Sequence, residues 1–258
     1  MLLDVSARLD YEVDDPVSIL LQIEAASLPD QRIIKARTDV AKAAHFARVP
    51  AEDGVGERSW IRVGGKFRCV YSAQVEIDRP AVDLPALSAT PVHELPGEVV
   101  RHLLDSRFIP AEKFRQFVDA EFGQLRGGVR VAAMRDWIEA NLDYVRGSSD
   151  AETTAVDTFV GRQGVCRDYA HLMICLARAS QIPARMVSVY APGVEPPDFH
   201  AVAEVWLDGA WRLVDATGMA RAEEMARIGV GRDAADIAFM MVFGASELKE
   251  QVVKVVKA

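Results

Sequence analysis

Cys166, His200 and Asp215 are the residues of this chain whose types and order suit nucleophilic chemistry at a carbonyl. A thiol attacks as its thiolate, and two things favour that form: the positive end of a helix, and an imidazole that becomes imidazolium. Cys166 lies in Gly161-Arg-Gln-Gly-Val-Cys166-Arg-Asp-Tyr-Ala-His-Leu-Met173, where a glycine-rich approach meets a strong helix former. Leu172, Ile174, Cys175, Leu176 and Ala179 predict a buried helix over 168–180. Asp168 and Arg178 suit its two ends, and Gln181-Ile-Pro183 stops it. Cys166 therefore falls at or near the first turn, where backbone N–H groups free of helical partners can hold an oxyanion. Gln163 is a candidate for the second oxyanion donor by proximity. Cys175, inside the apolar run, and Cys69, in a strand-like segment, read as buried and inert thiols.

The other two members need a scaffold that brings them together. His200-Ala-Val-Ala-Glu-Val-Trp-Leu207 reads as a strand, Asp208-Gly209 as a two-residue hairpin turn, and Trp211-Arg-Leu-Val-Asp215 as the returning strand. If Leu207 pairs with Ala210, Val202 faces Asp215 and His200 is diagonal to it on the same face. A slip of one residue would separate them. In this register Asp215 orients the imidazole and stabilises its charged form. Glu204 shares the face, either tuning the imidazole or supporting the sheet. His171, on the nucleophile helix but turned from the thiol, reads as a packing or surface residue. His93 and His102 have no partner motif.

These blocks resemble the transglutaminase-like superfamily. The resemblance rests on Gly-Val-Cys166-Arg-Asp-Tyr-Ala-His-Leu-Met, Leu-Ala-Arg-Ala-Ser-Gln-Ile-Pro-Ala-Arg185, Phe-His200-Ala-Val-Ala-Glu-Val-Trp and Trp-Arg-Leu-Val-Asp215-Ala-Thr. In particular, the blocks look like bacterial members described as presumed cysteine proteases. It implies an α+β fold with a papain-like core, in which a cysteine heads a helix packed on an antiparallel sheet. It also implies Cys166 as nucleophile, His200 as general base and acid, and Asp215 as the orienting residue. Val202 and Ala216 stand where many relatives carry Trp and Pro. Arg167 stands where the animal transglutaminases carry Trp, which weighs against protein cross-linking and calcium control. Gly231-Arg-Asp-Ala-Ala-Asp236-Ile-Ala also resembles a block that follows the triad in these bacterial proteins, as a turn or as a substrate contact.

Around this core, residues 1–80 read as a small antiparallel β domain, with Gly64-Gly65 as a hairpin turn and 31–47 ambiguous between strand and helix. Residues 81–98, rich in proline, read as a linker. Residues 99–258 form the expected catalytic part, with helices at about 97–105, 111–122 and 129–144 and a final strand near 248–257. Such a β domain before the catalytic one is common in the resembling bacterial proteins. The proline-rich loop 191–198 precedes His200 and is a candidate rim for the cleft.

With 258 residues, half of them hydrophobic and 26% charged, the composition is that of a globular protein. A net charge of −8 without a basic, aromatic-interleaved run excludes a nucleic-acid binder. No stretch reaches ~18 apolar residues, so no membrane span is expected, and no signal peptide is read at the start. Three cysteines, one wanted as a thiol, point to a reducing compartment, the cytoplasm by default. No phosphate loop, dinucleotide fingerprint or metal-ligand spacing occurs, so neither metal nor cofactor is expected. The expected partner is a peptide or protein amide. Water resolving a Cys166 thioester gives a peptidase or amidase, the favoured reading, and an amine gives a transglutaminase. A binding module of the same fold without turnover is the third reading. Oligomeric state is not legible.

Overall fold

Period-two patterning at the start of the chain builds strands longer than expected. A computed structural model, describing residues 1–258 with the side chains of Asp14 and Asp15 excepted, opens with β1 (Leu2–Leu21), β2 (Gln31–Val40), β3 (His45–Pro50) and β4 (Glu57–Ile77). The ambiguous segment after residue 31 is thus strand. β1 and β4 pair antiparallel along most of their length, with β2 and β3 on successive halves of β4. Alternate residues, Leu3, Val5, Ala7 and Leu9 on β1 and Phe67, Cys69, Tyr71 and Ala73 on β4, are buried together.

The hairpin expected at Gly64-Gly65 does not form, because β4 runs through it. Opposite Gly64 the register of β1 shifts between Val13 and Val17, and a Cβ on Gly64 would lie 3.3 Å from Pro16 Cγ. Gly65 takes φ +75°. These glycines admit an irregularity in a continuous ladder instead of reversing the chain.

The middle of the chain is α1 (Gly97–Val100), α2 (Arg115–Phe122), α3 (Gly127–Asn141), β5 (Asp143–Tyr144), α4 (Ala155–Gly161), β6 (Gln163–Gly164) and α5 (Cys166–Ala179). The helices expected at 97–105 and 111–122 are part α and part 3-10 turn. The one expected at 129–144 ends early. Leu142 is extended, and Asp143 and Tyr144 leave the helix to pair in parallel with Gln163 and Gly164.

Next come β7 (Ala184–Tyr190), β8 (His200–Leu207), β9 (Ala210–Val214) and β10 (Ala226–Gly231), an antiparallel sheet of order β10-β7-β8-β9. α5 packs on one face of it, burying Leu172, Ile174 and Leu176 with Met186, Ala203 and Val205. Full burial of each such leucine or isoleucine contributes about 1.5–3 kcal/mol. The fold is therefore α+β, a nucleophile helix on an antiparallel sheet preceded by a β-rich part.

The division of the chain at residue 99 requires a correction. β11 (Met240–Phe243) and β12 (Glu247–Lys257), expected to stay with the catalytic part, both pair with β1 and complete the first sheet. Tyr190 Oη donates to the Ile23 carbonyl at 2.7 Å, and Gln31 Nε2 donates to the Arg227 carbonyl at 2.8 Å, so side chains of each sheet hold the backbone of the other part. Nor do residues 81–98 hang free. Ala89 bridges Leu207, and Gly127 and Gly128 sit so close to the Leu87 and Leu84 carbonyls that a Cβ on either would collide. Among the described residues no helix is long and apolar enough to cross a membrane.

Candidate active site

α5 begins at Cys166, with Val165 as the residue before its first turn. The turn is set by Asp168, whose Oδ2 accepts the Val165 N–H at 2.8 Å and the Ser149 hydroxyl at 2.6 Å. Gly164 makes room for that carboxylate, since a Cβ there would stand 2.6 Å from Asp168 Cβ. Cys166 is consequently half-exposed at the positive end of a buried helix, its own N–H outside the helical ladder. The remaining cysteines are removed from chemistry. Burial pushes the Cys69 thiol up to about 12 and raises that of Cys175 as well.

The hairpin forms in the predicted register. Leu207 pairs with Ala210 and Ala203 with Val214, and Asp208 and Gly209 both take positive φ, at 49° and 67°, as a two-residue turn demands. His200 Nε2 meets Asp215 Oδ2 at 2.9 Å, both side chains almost fully buried. Asp215 is itself fixed: Oδ1 accepts the Thr217 N–H at 2.9 Å and the Thr217 hydroxyl at 2.7 Å, and Oδ2 accepts the Ala220 N–H at 3.0 Å. Burial works against the His200 imidazolium. The hydrogen bond to Asp215, then the neighbouring Cys166 thiol, outweigh it and push the group up to about 10. Burial also works against the Asp215 carboxylate, but His200 and then Thr217 hold it below the usual range. With Nε2 on Asp215, the nitrogen left for the thiol is Nδ1, which has no hydrogen-bond partner among the described residues. Cys166, His200 and Asp215 are thus brought together.

Gln163 is not. Its side chain is exposed, and its backbone is engaged with Asp143 in the β5–β6 pair. That pair instead delivers Tyr144. The Tyr144 hydroxyl stands beside the Cys166 backbone N–H and thiol. Burial, followed by the thiol's charge, pushes the phenol up to about 12, and the Cys166 N–H acts in the opposite sense. Tyr169 Oη, from α5, donates to the Leu142 carbonyl at 2.8 Å and seats the segment that carries Tyr144. No local motif marks Tyr144, because its proximity comes from a two-residue parallel ladder between distant segments.

The residues left open in the sequence find structural places. His171 is buried, stacks on Phe108 with ring centroids 5.2 Å apart, and is held down to about 3 by burial. His102 is buried against Trp211 and held down to about 4, chiefly by burial, even though its Nε2 lies 3.1 Å from Asp53 Oδ2. Glu204 does not reach the imidazole. It bridges Arg185 Nη2 and Arg227 Nε, each at 2.7 Å, and supports the sheet from its second face.

A cleft of about 290 Å³ opens over Cys166 and His200. A larger cavity of about 570 Å³ lies behind Asp215, lined by Arg79, Arg212 and Arg227, away from the thiol. Of the two, the cleft at Cys166 is the one that borders the thiol.

A model of the transglutaminase-like superfamily matches residues 121–216, the span from α2 through Asp215. The crystal structure of a presumed cysteine protease from Cytophaga hutchinsonii is similar over 99% of this chain and 90% of that one, with a TM-score of 0.94 and 31% sequence identity. An uncharacterized protein of Mycobacterium leprae is 33% identical over 117 residues, 42% of this chain and 41% of that protein. An uncharacterized protein of Mycobacterium tuberculosis is 30% identical over 115 residues, 39% of this chain and 37% of its own length. The match therefore spans about two fifths of the length of these curated relatives.

Proposed function

This chain belongs to the transglutaminase-like superfamily, and from that premise we propose that it is a thiol-dependent acyl-transfer enzyme that cleaves peptide or other amide bonds through a Cys166 thioester. The observation that carries the reading is the buried 2.9 Å His200–Asp215 contact, which leaves Nδ1 of a charge-stabilised imidazole for the Cys166 thiol.

The Cys166 thiolate attacks the amide carbonyl and forms the C–S bond as the carbonyl π pair moves to oxygen. The oxyanion is held by the Cys166 backbone N–H and the Tyr144 hydroxyl, whose phenol keeps its proton across the neutral range and so remains a donor. As the intermediate collapses, the C–N bond breaks and His200 delivers its proton to the leaving amine. Neutral His200 then takes a proton from water as that water adds to the thioester. Expulsion of the thiolate restores the ion pair and releases the acid. Asp215 remains ionised throughout, orienting the ring and stabilising its charged form.

Water is favoured over an amine as the resolving nucleophile because amine transfer needs a second shaped site and exclusion of water. The substrate is accordingly a peptide or protein amide. The proposed location is the cytoplasm, a reducing compartment in keeping with three free thiols.

The test is labelling with an electrophilic amide-mimetic probe, followed by intact mass, on wild type, Cys166→Ala and His200→Ala. Modification confined to Cys166 and lost without His200 supports the enzyme. Slow modification indifferent to His200 would make the chain a binding module that retains the constellation without turnover.

A further inference from the structure

Residues 231–239 follow β10 and carry the Gly-Arg-Asp-Ala-Ala-Asp block to which the acyl-transfer step gives no part. The loop is fastened from three sides. From α5, His171 Nε2 accepts the Ala234 N–H at 3.1 Å, and Arg178 Nη2 donates to the Arg232 carbonyl at 2.7 Å. From β4, Arg58 Nη2 donates to the Asp236 carbonyl at 2.6 Å. Within the loop, Asp236 Oδ2 accepts the Arg232 N–H at 2.9 Å and Asp233 Oδ1 accepts the Ala235 N–H at 3.0 Å. Gly231 lets the segment fold back on itself, since a Cβ there would lie 2.8 Å from Ile237 Cγ2. A loop pinned in this way presents a fixed surface.

That surface faces the thiol. Ile237, Ala238 and Phe239 form one wall of the 290 Å³ cleft over Cys166 and His200, and Met186 and Ala201 from the sheet form another. The polar groups at the rim are partly engaged by the protein itself. Asp198 Oδ1 accepts from Gln251 Nε2 at 2.6 Å and from the Phe199 N–H at 2.8 Å. Arg167 Nη2 donates to the Asp150 carbonyl at 2.7 Å and to Ser149 Oγ at 3.1 Å. A charged group or carboxamide entering past the rim would leave water against Met186, Ala201, Ile237 and Phe239, whose side chains offer it no hydrogen bond, whereas an apolar group gains by the same burial. The volume is at the low end for ligand sites of about 300–1,000 Å³, enough for one side chain.

Resting on the acyl-transfer reading, we infer that this cleft is the acyl-side specificity pocket and that the 231–239 loop sets its preference for a single aliphatic or aromatic side chain. The nucleophile helix thus fixes both the thiol, through Cys166, and the specificity wall, through His171 and Arg178. The first sheet contributes as well, since Arg58 on β4 pins the loop and Gln251 on β12 occupies the rim.

The experiment is a series of peptidyl acyloxymethyl ketones differing only in the residue beside the electrophile, Leu, Phe, Gln, Glu or Lys. The rate of Cys166 modification is read by intact mass, with iodoacetamide as a small probe that needs no pocket. The Leu and Phe probes are expected to react at least about tenfold faster than the other three. Ala238→Glu, an exposed substitution on the wall whose folding is checked by thermal unfolding, should reverse the order in favour of Lys. Equal rates across the series, or an order unchanged by Ala238→Glu, would overturn the pocket while leaving a nucleophilic Cys166 in place. A Cys166 that reacts with neither the ketones nor iodoacetamide would overturn both readings.

Discussion

His171 Nε2 accepts the backbone N–H of Ala234 at 3.1 Å, so a histidine of α5, the helix that begins at Cys166, holds the loop lining the cleft. Only a neutral imidazole can accept that bond, and burial keeps the group neutral down to about 3. In His171→Phe the ring retains its stacking partner Phe108 but the Ala234 N–H loses its acceptor. We expect a loss of about 1–3 kcal/mol in urea unfolding at pH 7. Because the folded-state pKa lies below the unfolded value of about 6.5, wild type should also lose stability as pH falls from there towards about 3. The variant lacks this contribution, so the gap between the two narrows on acidification. A gap that stayed constant from pH 7 to pH 4 would mean that His171 is not held neutral.

His200 responds to pH in the opposite sense. Its folded-state value is raised to about 10, so the stability it contributes is fully present below about 6.5 and is lost as pH rises through about 10. Asp215, whose value is lowered, contributes above its ordinary range and loses that contribution as pH falls through it. The unfolding free energies of wild type and His200→Ala should therefore converge between pH 7 and pH 10. At neutral pH the same substitution should slow Cys166 labelling by the amide-mimetic probe at least about 10²-fold. A stability difference that widened towards pH 10 would be inconsistent with a charged imidazole on Asp215.

The parts of the site that were legible in the sequence are those fixed by local rules. A glycine beside a helix start gave the place of Cys166, and the reason emerges in the Asp168 carboxylate that fills the space of the missing Cβ. The two-residue turn at Asp208-Gly209 set the hairpin register and with it the meeting of His200 and Asp215. What could not be read depends on non-local pairing. Tyr144 reaches Cys166 through a parallel ladder of two residues, too short to leave a periodic signal. The glycines at 64 and 65 resemble a turn until their partner strand is known, and only then do they read as a site of shifted register. The C-terminal strands look the same in sequence whichever sheet they join. Their pairing with β1 reflects the open edge they cover, not their own residues.

Tyr144→Phe separates the oxyanion role from packing. The phenylalanine ring preserves the contact with Tyr169, whose centroid lies 5.9 Å away, and removes only the hydroxyl beside the Cys166 N–H. If that hydroxyl stabilises the developing charge, kcat on an amide substrate should fall by about 10²–10³ with little change in KM. Alkylation of Cys166 by iodoacetamide, which forms no tetrahedral intermediate, should be far less affected. Equal losses in both reactions would instead assign Tyr144 to holding the thiol.

Glu204 carries the most exposed structural wager on the second face of the sheet. It is fully buried between Arg185 and Arg227, which continue to Asp53 and Asp30 at 3.0 Å each. Glu204→Ala leaves two nearly buried guanidinium groups without their shared carboxylate, a change expected to cost about 3–5 kcal/mol. Its effect should appear in urea unfolding, not in the pH profile of Cys166 labelling, because Glu204 does not touch His200. Glu204→Ala combined with Arg185→Met and Arg227→Met removes the two guanidinium groups left with only Asp53 and Asp30, and should recover part of the loss. Failure of the triple variant to exceed Glu204→Ala in stability would mean that the loss is set by packing and not by the arginines deprived of their shared carboxylate.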